Sequence, residues 1–176
     1  MKMLGIAGWS GAGKTTLIER LLPLLLADGM TVSTIKATHH GVDLDQSGKD
    51  SFRHRAAGAT EVMLVSDDRW ALLRETAERP PIESLIARLS AVDLVFVEGF
   101  RNDAMPKLEV YRPALDRPPL WPDRPDILAV ATDDPALIAD ANRPTLPLDD
   151  PSAIVTWLIH TLDIRPGSGS RGAMAA

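Results

Sequence analysis

Met3-Leu4-Gly5-Ile6-Ala7-Gly8-Trp9-Ser10-Gly11-Ala12-Gly13-Lys14-Thr15-Thr16-Leu17-Ile18 runs from a short apolar stretch through a glycine-rich turn into a helical pattern. Gly8, Gly13, Lys14 and Thr15 have the spacing of a phosphate-binding loop, set between the strand and the helix that such a loop requires. The chemistry asks for these residue types. Glycines let the backbone take positive φ and turn successive N–H groups toward phosphate oxygens, and the start of the following helix adds partial positive charge. Ser10, Gly11, Ala12, Gly13, Lys14, Thr15 and Thr16 are therefore the expected phosphate contacts, with Lys14 reaching the β- and γ-phosphates and the Thr15 hydroxyl ligating Mg²⁺.

Outward from that loop, the chain alternates strands and helices. Leu17, Leu21, Leu22, Leu24 and Leu25 continue the helix past Pro23, a residue expected to bend it, to a stop at Asp28-Gly29. Thr31 to Lys36 is β-branched, and Asp93 to Gly99 is apolar enough to be a central parallel strand. Ser51 to Ala57 is a short helix, Glu61 to Val65 and Trp70 to Leu73 form a candidate hairpin, and Pro81 opens another helix. Lys107 to Tyr111 alternates as a strand, Arg112 to Asp126 carries five prolines and is irregular, and Ile127 to Ala131 is again a buried strand. Pro135 opens a short helix. Thr145 to Pro147 is a last short strand before a terminal helix through Ile154, Leu158 and Leu162. The pattern predicts an α/β fold, a three-layer and mostly parallel sheet over residues 1–164, with ligands beyond the carboxyl ends of the strands. Residues 165–176 lack apolar periodicity and are expected to be a disordered tail.

The totals narrow the function classes. With 176 residues the chain buries a core without staples, and it has no cysteine, which removes thiolate metal sites, cysteine nucleophiles and redox motifs and suits a reducing cytoplasm. A net charge of −5 disfavours nucleic acid as a partner. No stretch approaches a membrane span, and no basic leader precedes the first strand.

A phosphate loop needs a carboxylate for Mg²⁺ at the carboxyl end of a buried strand, and Glu98 is at that end. Asp93 stands at the other end of the same strand, roughly 16 Å away at ~3.3 Å per residue, and is expected to be a solvated cap. The polar segment Ala37 to Asp50 emerges at the same edge and is dense in ligating groups. Its Asp43, Asp45, Ser47 and Gly48 begin like an EF-hand, but His54 stands where a bidentate Glu is needed. Two readings of it stay open: an ordinary solvated loop, or a switch-type loop with Asp43 or Asp45 near Mg²⁺ and Lys36 or Lys49 near phosphate. His39 and His40 are adjacent and point opposite ways on an extended segment, so they do not chelate one ion easily. Arg53, His54 and Arg55 open the next helix, against its dipole, which points to an anion or a partner; Arg101 and Lys107 invite the same reading, with surface salt bridges as the alternative for both groups. Asp133, in Thr132-Asp133-Asp134, stands at a strand end where a carboxylate accepts from guanine N1–H and N2–H₂, although Asp134-Pro135 reads equally well as a helix cap.

Taken together, Gly8-x-Ser10-Gly11-x-Gly13-Lys14-Thr15-Thr16-Leu17, Ile35-Lys36-x-x-His39-His40, Asp43-x-Asp45, Gly48-Lys49-Asp50-Ser51, Arg53-His54-Arg55, Val97-Glu98-Gly99-Phe100 and Pro106-Lys107-Leu108-Glu109-Val110 resemble the MobB family. The resemblance spans about the first two-thirds of the chain and weakens toward Asp133. It implies a GTP-binding adapter of the signal-recognition-like P-loop class, acting in the guanine-dinucleotide step of molybdenum cofactor biosynthesis. It further implies slow Mg²⁺-dependent GTP hydrolysis with Lys14 and Glu98 as the catalytic residues, a homodimer, and association with a MobA-like molybdopterin guanylyltransferase. Under it, Lys36, His39 and His40 belong to the loop that contacts nucleotide, molybdopterin, its dinucleotide form or the partner enzyme. Relatives in this P-loop class carry a second lysine at the place of Trp9, used across a dimer, and its loss here fits a weak GTPase. The alternative class is a small-molecule kinase using ATP, with Arg112, Arg117 and Arg124 on a mobile lid. No base for an acceptor hydroxyl stands out to support it. A metal-delivery GTPase would call for cysteines or longer histidine tracts.

Overall fold

The computed structural model describes residues 1–38, 44–138 and 142–168. In chain order the elements are β1 (Lys2–Ala7), α1 (Lys14–Ala27), β2 (Val32–Lys36), α2 (Asp50–Ala56), β3 (Glu61–Val65), β4 (Trp70–Arg74), α3 (Ile82–Ile86), β5 (Leu94–Glu98), β6 (Lys107–Tyr111), β7 (Ile127–Thr132), β8 (Thr145–Pro147) and α4 (Pro151–Leu162). Short 3-10 turns interrupt the proline-rich stretch at Pro113–Leu115 and Trp121–Asp123, and another follows β7 at Pro135–Ile138. The chain divides into two compact units, residues 1–37 with 86–176, and residues 38–85.

The first unit is a parallel sheet of six strands in the order β2-β5-β1-β6-β7-β8. One face is covered by α1 and α4, whose Leu17, Leu21, Leu25, Ile154 and Leu158 join Leu4, Phe96, Leu108 and Ala129 in one buried cluster. On the other face Leu120 and Trp121 from the proline-rich segment pack with Ala7, Ile127, Val130 and Ile138. α1 runs through Pro23 and ends where Met30 N–H donates to Leu25 O across Gly29 at φ 78°, a closure that glycine allows without strain. α4 begins at Asp150, whose carboxylate accepts from the Ser152 and Ala153 N–H groups, with Pro151 in the first turn.

Two sequence expectations for this unit change, those for Lys107 and Asp93. β6 lies between β1 and β7, so the alternation of Lys107-Leu108-Glu109 does not mark a solvated face; Lys107 and Glu109 are both buried. The Lys107 ammonium donates to Asp103 O and to Asp126, and Arg124 and Lys107 together hold the Asp126 carboxyl well below the usual carboxylate range. Lys107 is thus a buried strut rather than an anion contact. Asp93 is also buried: its carboxylate accepts from Thr31 N–H and Oγ1, each at 2.8 Å, and from the Ser168 hydroxyl at 3.1 Å. It ties the start of β5 to the chain before β2. Of the expected tail, residues 165–168 are placed and the rest lie outside the described residues.

The second unit contains α2 and the antiparallel β3-β4 hairpin, in register from Glu61 opposite Arg74 to Val65 opposite Trp70. Arg55 is its hub, pairing with Asp45 and Glu75 and lying 5.3 Å from the Phe52 ring centroid. α2 starts at Asp50, so Arg53, His54 and Arg55 occupy its last turn, where cations favour the dipole. The mismatch expected from sequence does not exist.

Candidate functional site

Sheet register assembles the site. In β5, Glu98 lies opposite Ile6 of β1 on one side and Lys36 of β2 on the other. Gly8 leaves β1 just beyond Ile6 at φ 132°, and a Cβ there would stand 2.4 Å from Val110 O, so only glycine passes against β6 at this point. Gly13, at φ 96°, is the left-handed residue that turns the loop into α1. The loop, the start of α1 and the ends of β2 and β5 thereby meet at one sheet edge.

There Thr15 Oγ1 donates to both Glu98 oxygens, at 3.3 and 3.1 Å. Lys36 Nζ donates to Thr15 Oγ1 at 3.1 Å and stands 3.6 Å from Glu98 Oε2. Lys14 Nζ folds back over the loop and donates to Gly8 O at 3.0 Å and Trp9 O at 2.9 Å. Burial draws the Lys14 ammonium below its ordinary 10.5; Glu98 opposes that shift and Lys36 adds to it. These side chains, with Ser10, Gly11, Gly13 and Thr16, line a recess of about 660 Å³. Its lining combines two ammonium groups, the hydroxyls of Ser10, Thr15 and Thr16, and the Glu98 carboxylate, a set that suits a polyphosphate with a hard divalent cation.

The oxygens of Thr15 and Glu98 fit Mg²⁺, which commonly takes one or two carboxylates and completes its shell with phosphate and water. Among the described residues no group of three or more His, Asp or Glu side chains gathers as a metal centre. Asp45, the other described carboxylate expected near a metal, is held by Arg55 at 2.9 Å and buried. That bond gives it a structural role within its own unit. Asp43, His39 and His40 lie outside the described residues.

Asp133 stands at the end of β7, but Arg112 Nη1 donates to its carboxylate at 2.9 Å. The same guanidinium donates from Nε to Ala12 O at 3.0 Å and stands 3.7 Å from the place a Gly13 Cβ would take. Arg112 is thus a strut between the loop and β7, a role that the lid reading of this stretch missed. Its position one residue beyond β6, at the same edge, is the signal that would have found it. Arg124 pairs with Asp126, and Arg117 lies 5.7 Å from the Trp9 ring centroid, so all three arginines of the supposed lid have partners in the molecule. The close approach allowed by Gly99, at φ 90°, is to Ala37, whose carbonyl would stand 2.5 Å from a Cβ.

The molybdopterin guanine dinucleotide synthesis protein B family model matches residues 3–133, an interval that includes the loop, Lys36, Glu98 and Asp133. This chain belongs to the MobB family. It is 40% identical over 165 residues to the molybdopterin-guanine dinucleotide biosynthesis adapter protein of Haemophilus influenzae, covering 90% of each chain. The adapter protein of the same name from Escherichia coli is 42% identical over 139 residues, 76% of this chain and 79% of that one. Among solved structures, a molybdopterin-guanine biosynthesis protein B superposes with a TM-score of 0.71 at 26% identity, covering 91% of this chain and 99% of the other. The MobB homologue of Bacillus stearothermophilus, at 22% identity and a TM-score of 0.65 over 93% of this chain, shares the MobB fold. Among the described residues no helix is long and apolar enough to cross a membrane.

Proposed function

We propose that this chain is a GTP-binding adapter in molybdopterin-guanine dinucleotide biosynthesis, working as a homodimer beside a MobA-like molybdopterin guanylyltransferase. The observation that carries the proposal is the Lys14, Thr15, Lys36 and Glu98 cluster at the carboxyl edge of the parallel sheet, where a nucleotide's phosphates find cations and N–H groups on one side and metal-ligating oxygens on the other. The adapter names of its relatives supply the biological setting.

On this account Lys14 leaves the carbonyls of Gly8 and Trp9 for the phosphates when GTP binds, exchanging two neutral acceptors for an anion. Thr15 and Glu98 would hold Mg²⁺, which supplies charge neutralisation at the phosphates. Lys36, already at this edge, adds a second cation. On this reading hydrolysis is slow, with Lys14 and Glu98 as its catalytic residues, and the role is to hold and present. Asp133 would be the base contact on this reading, and Arg112, which donates to it, links it to the phosphate loop.

The test is retention of a molybdopterin guanylyltransferase on the immobilised chain with and without GTP and Mg²⁺, with phosphate release followed in parallel. Retention that depends on GTP, with turnover far below the ~10 s⁻¹ median of enzymes, supports the adapter. Fast ATP turnover on addition of a small acceptor would establish the kinase instead.

A further inference from the structure

The oxygens that fit a divalent cation, those of Thr15 and Glu98, already share a cation of the chain's own. Lys36 Nζ donates to Thr15 Oγ1 at 3.1 Å and stands 3.6 Å from Glu98 Oε2, while Thr15 Oγ1 donates to that same Oε2 at 3.1 Å. The hydroxyl hydrogen is thus directed to Glu98 and a hydroxyl lone pair to Lys36. The ammonium closes a triangle on the two groups that a metal would use.

Charge and burial explain why it stays there. The Glu98 side chain is 12% exposed, and a carboxylate so enclosed needs a counter-charge. Lys14, the other ammonium of the recess, spends its hydrogens on Gly8 O and Trp9 O, which leaves Lys36 as the cation in ion-pair contact with Glu98. The main chain sets the position. Lys36 lies opposite Glu98 in the parallel register of β2 and β5, and the next residue, Ala37, donates its N–H to Glu98 O at 2.8 Å. Gly99, at φ 90°, lets the chain after Glu98 pass where a Cβ would stand 2.5 Å from Ala37 O. The Lys36 backbone is therefore fixed beside Glu98, whereas its side chain is 55% exposed and its four-carbon stem can carry the charged end elsewhere.

We propose that Lys36 is a built-in stand-in for the divalent cation: its ammonium holds Thr15 Oγ1 and Glu98 when no metal is bound, admits a polyphosphate in the metal's absence, and gives up those oxygens when Mg²⁺ takes them. The inference deepens the proposed nucleotide site, on which it rests, by assigning to Lys36 control of that site's metal dependence. An ammonium and a hard cation need the same oxygen lone pairs, so the two compete for Thr15 and Glu98. Without metal, the ammonium offsets the repulsion between Glu98 and an incoming phosphate. With metal, it is released into the same recess, where the phosphates are its remaining partners.

The experiment is calorimetric titration of the full chain with GTP, ATP and inorganic tripolyphosphate, each in saturating Mg²⁺ and in EDTA, read for each ligand as the ratio of the two affinities. A circular-dichroism melt checks that each variant is folded. The expected result is measurable binding to the wild type in EDTA and a metal-to-EDTA ratio at least tenfold larger in Lys36→Gln, whose oxygens take the metal unopposed but leave the phosphates without this cation when metal is withheld. In the Glu98→Gln background, where the shared carboxylate is gone, adding Lys36→Gln should change the ratio by less than threefold. An unchanged ratio in Lys36→Gln means that Lys36 contributes alike with and without metal and overturns the proposal. A smaller ratio, which would make Lys36 act with the metal, overturns it too, as does a wild type that binds no polyphosphate in EDTA. If ATP or tripolyphosphate binds and GTP does not, the guanine-nucleotide account fails, and the ratio for the ligand that binds still decides for or against Lys36.

Discussion

Glu109→Gln separates two opposing influences on a fully buried carboxyl beside the strand that feeds the phosphate loop. Glu109 lies opposite Ala7 and accepts from Leu120 N–H at 2.9 Å and Trp121 N–H at 2.9 Å, so it fastens the proline-rich segment to the sheet. Burial pushes its carboxyl up from 4.5 to about 7, against the pull of those two N–H groups and of Arg101 and Arg143. Between these values the folded chain keeps a proton that the unfolded chain has released. Stability supported by the protonated acid is therefore complete below pH 4.5 and drains away as pH rises to about 7. At 1.36 kcal/mol per pH unit the loss is about 3 kcal/mol, or roughly 6–12 °C in Tm for a chain of this size. The glutamine variant lacks this titration. Urea denaturation of both proteins from pH 4.5 to 8 should show the variant gaining about 3 kcal/mol on the wild type across that range, with other groups cancelling in the difference. Parallel pH profiles would refute the reasoning, because they would mean that Glu109 is ionised throughout and that the N–H groups and arginines outweigh its burial.

Other substitutions address the site itself. Lys14→Ala should abolish measurable GTP binding in a calorimetric titration and, through loss of the bonds to Gly8 O and Trp9 O, lower the nucleotide-free stability by about 1–3 kcal/mol. Glu98→Gln should weaken Mg²⁺-dependent GTP affinity by roughly tenfold or more, about the value of one charge-assisted hydrogen bond. With EDTA present the same variant should bind GTP as well as the wild type or better, since a negative charge beside the phosphates is gone; equal weakening in both conditions would argue that Glu98 only orients Thr15. Gly8→Ala places a Cβ 2.4 Å from Val110 O at φ 132° and should cost ~2–4 kcal/mol in chemical denaturation; a cost below 1 kcal/mol would mean that β6 yields at this point.

The legible parts of the fold were those in which local pattern and tertiary environment agree. The run from Met3 to Leu17 contains its strand, its turn and its helix start in one stretch, and Leu94 to Val97 is apolar throughout because both its faces are covered. Thr15 and Glu98, distant in sequence, could be paired in advance because parallel strands end at a common edge and only one carboxylate of β5 lies there. The misreadings concern charges whose partners come from elsewhere in the chain. Lys107 and Glu109 imitate the alternation of a half-solvated strand, yet Asp126 neutralises the first and two backbone N–H groups receive the second. Asp93 resembles a solvated cap until Thr31 and Ser168 are seen around it. For Arg53 to Arg55 an uncertain helix boundary sufficed, since moving the helix start changes a cation from opposing the dipole to favouring it. Arg112 was hidden among prolines, and its meaning depends on Ala12 O and Asp133, both remote in sequence.

The central claim is that the Lys14, Thr15 and Glu98 edge receives a guanine nucleotide with Mg²⁺. Calorimetric titration of the chain with GTP and with ATP, each with Mg²⁺, tests it most directly. The account predicts saturable GTP binding at one site per chain, at least tenfold tighter than ATP and lost in Lys14→Ala. Equal or tighter ATP binding, or GTP binding that survives Lys14→Ala unchanged, would contradict it.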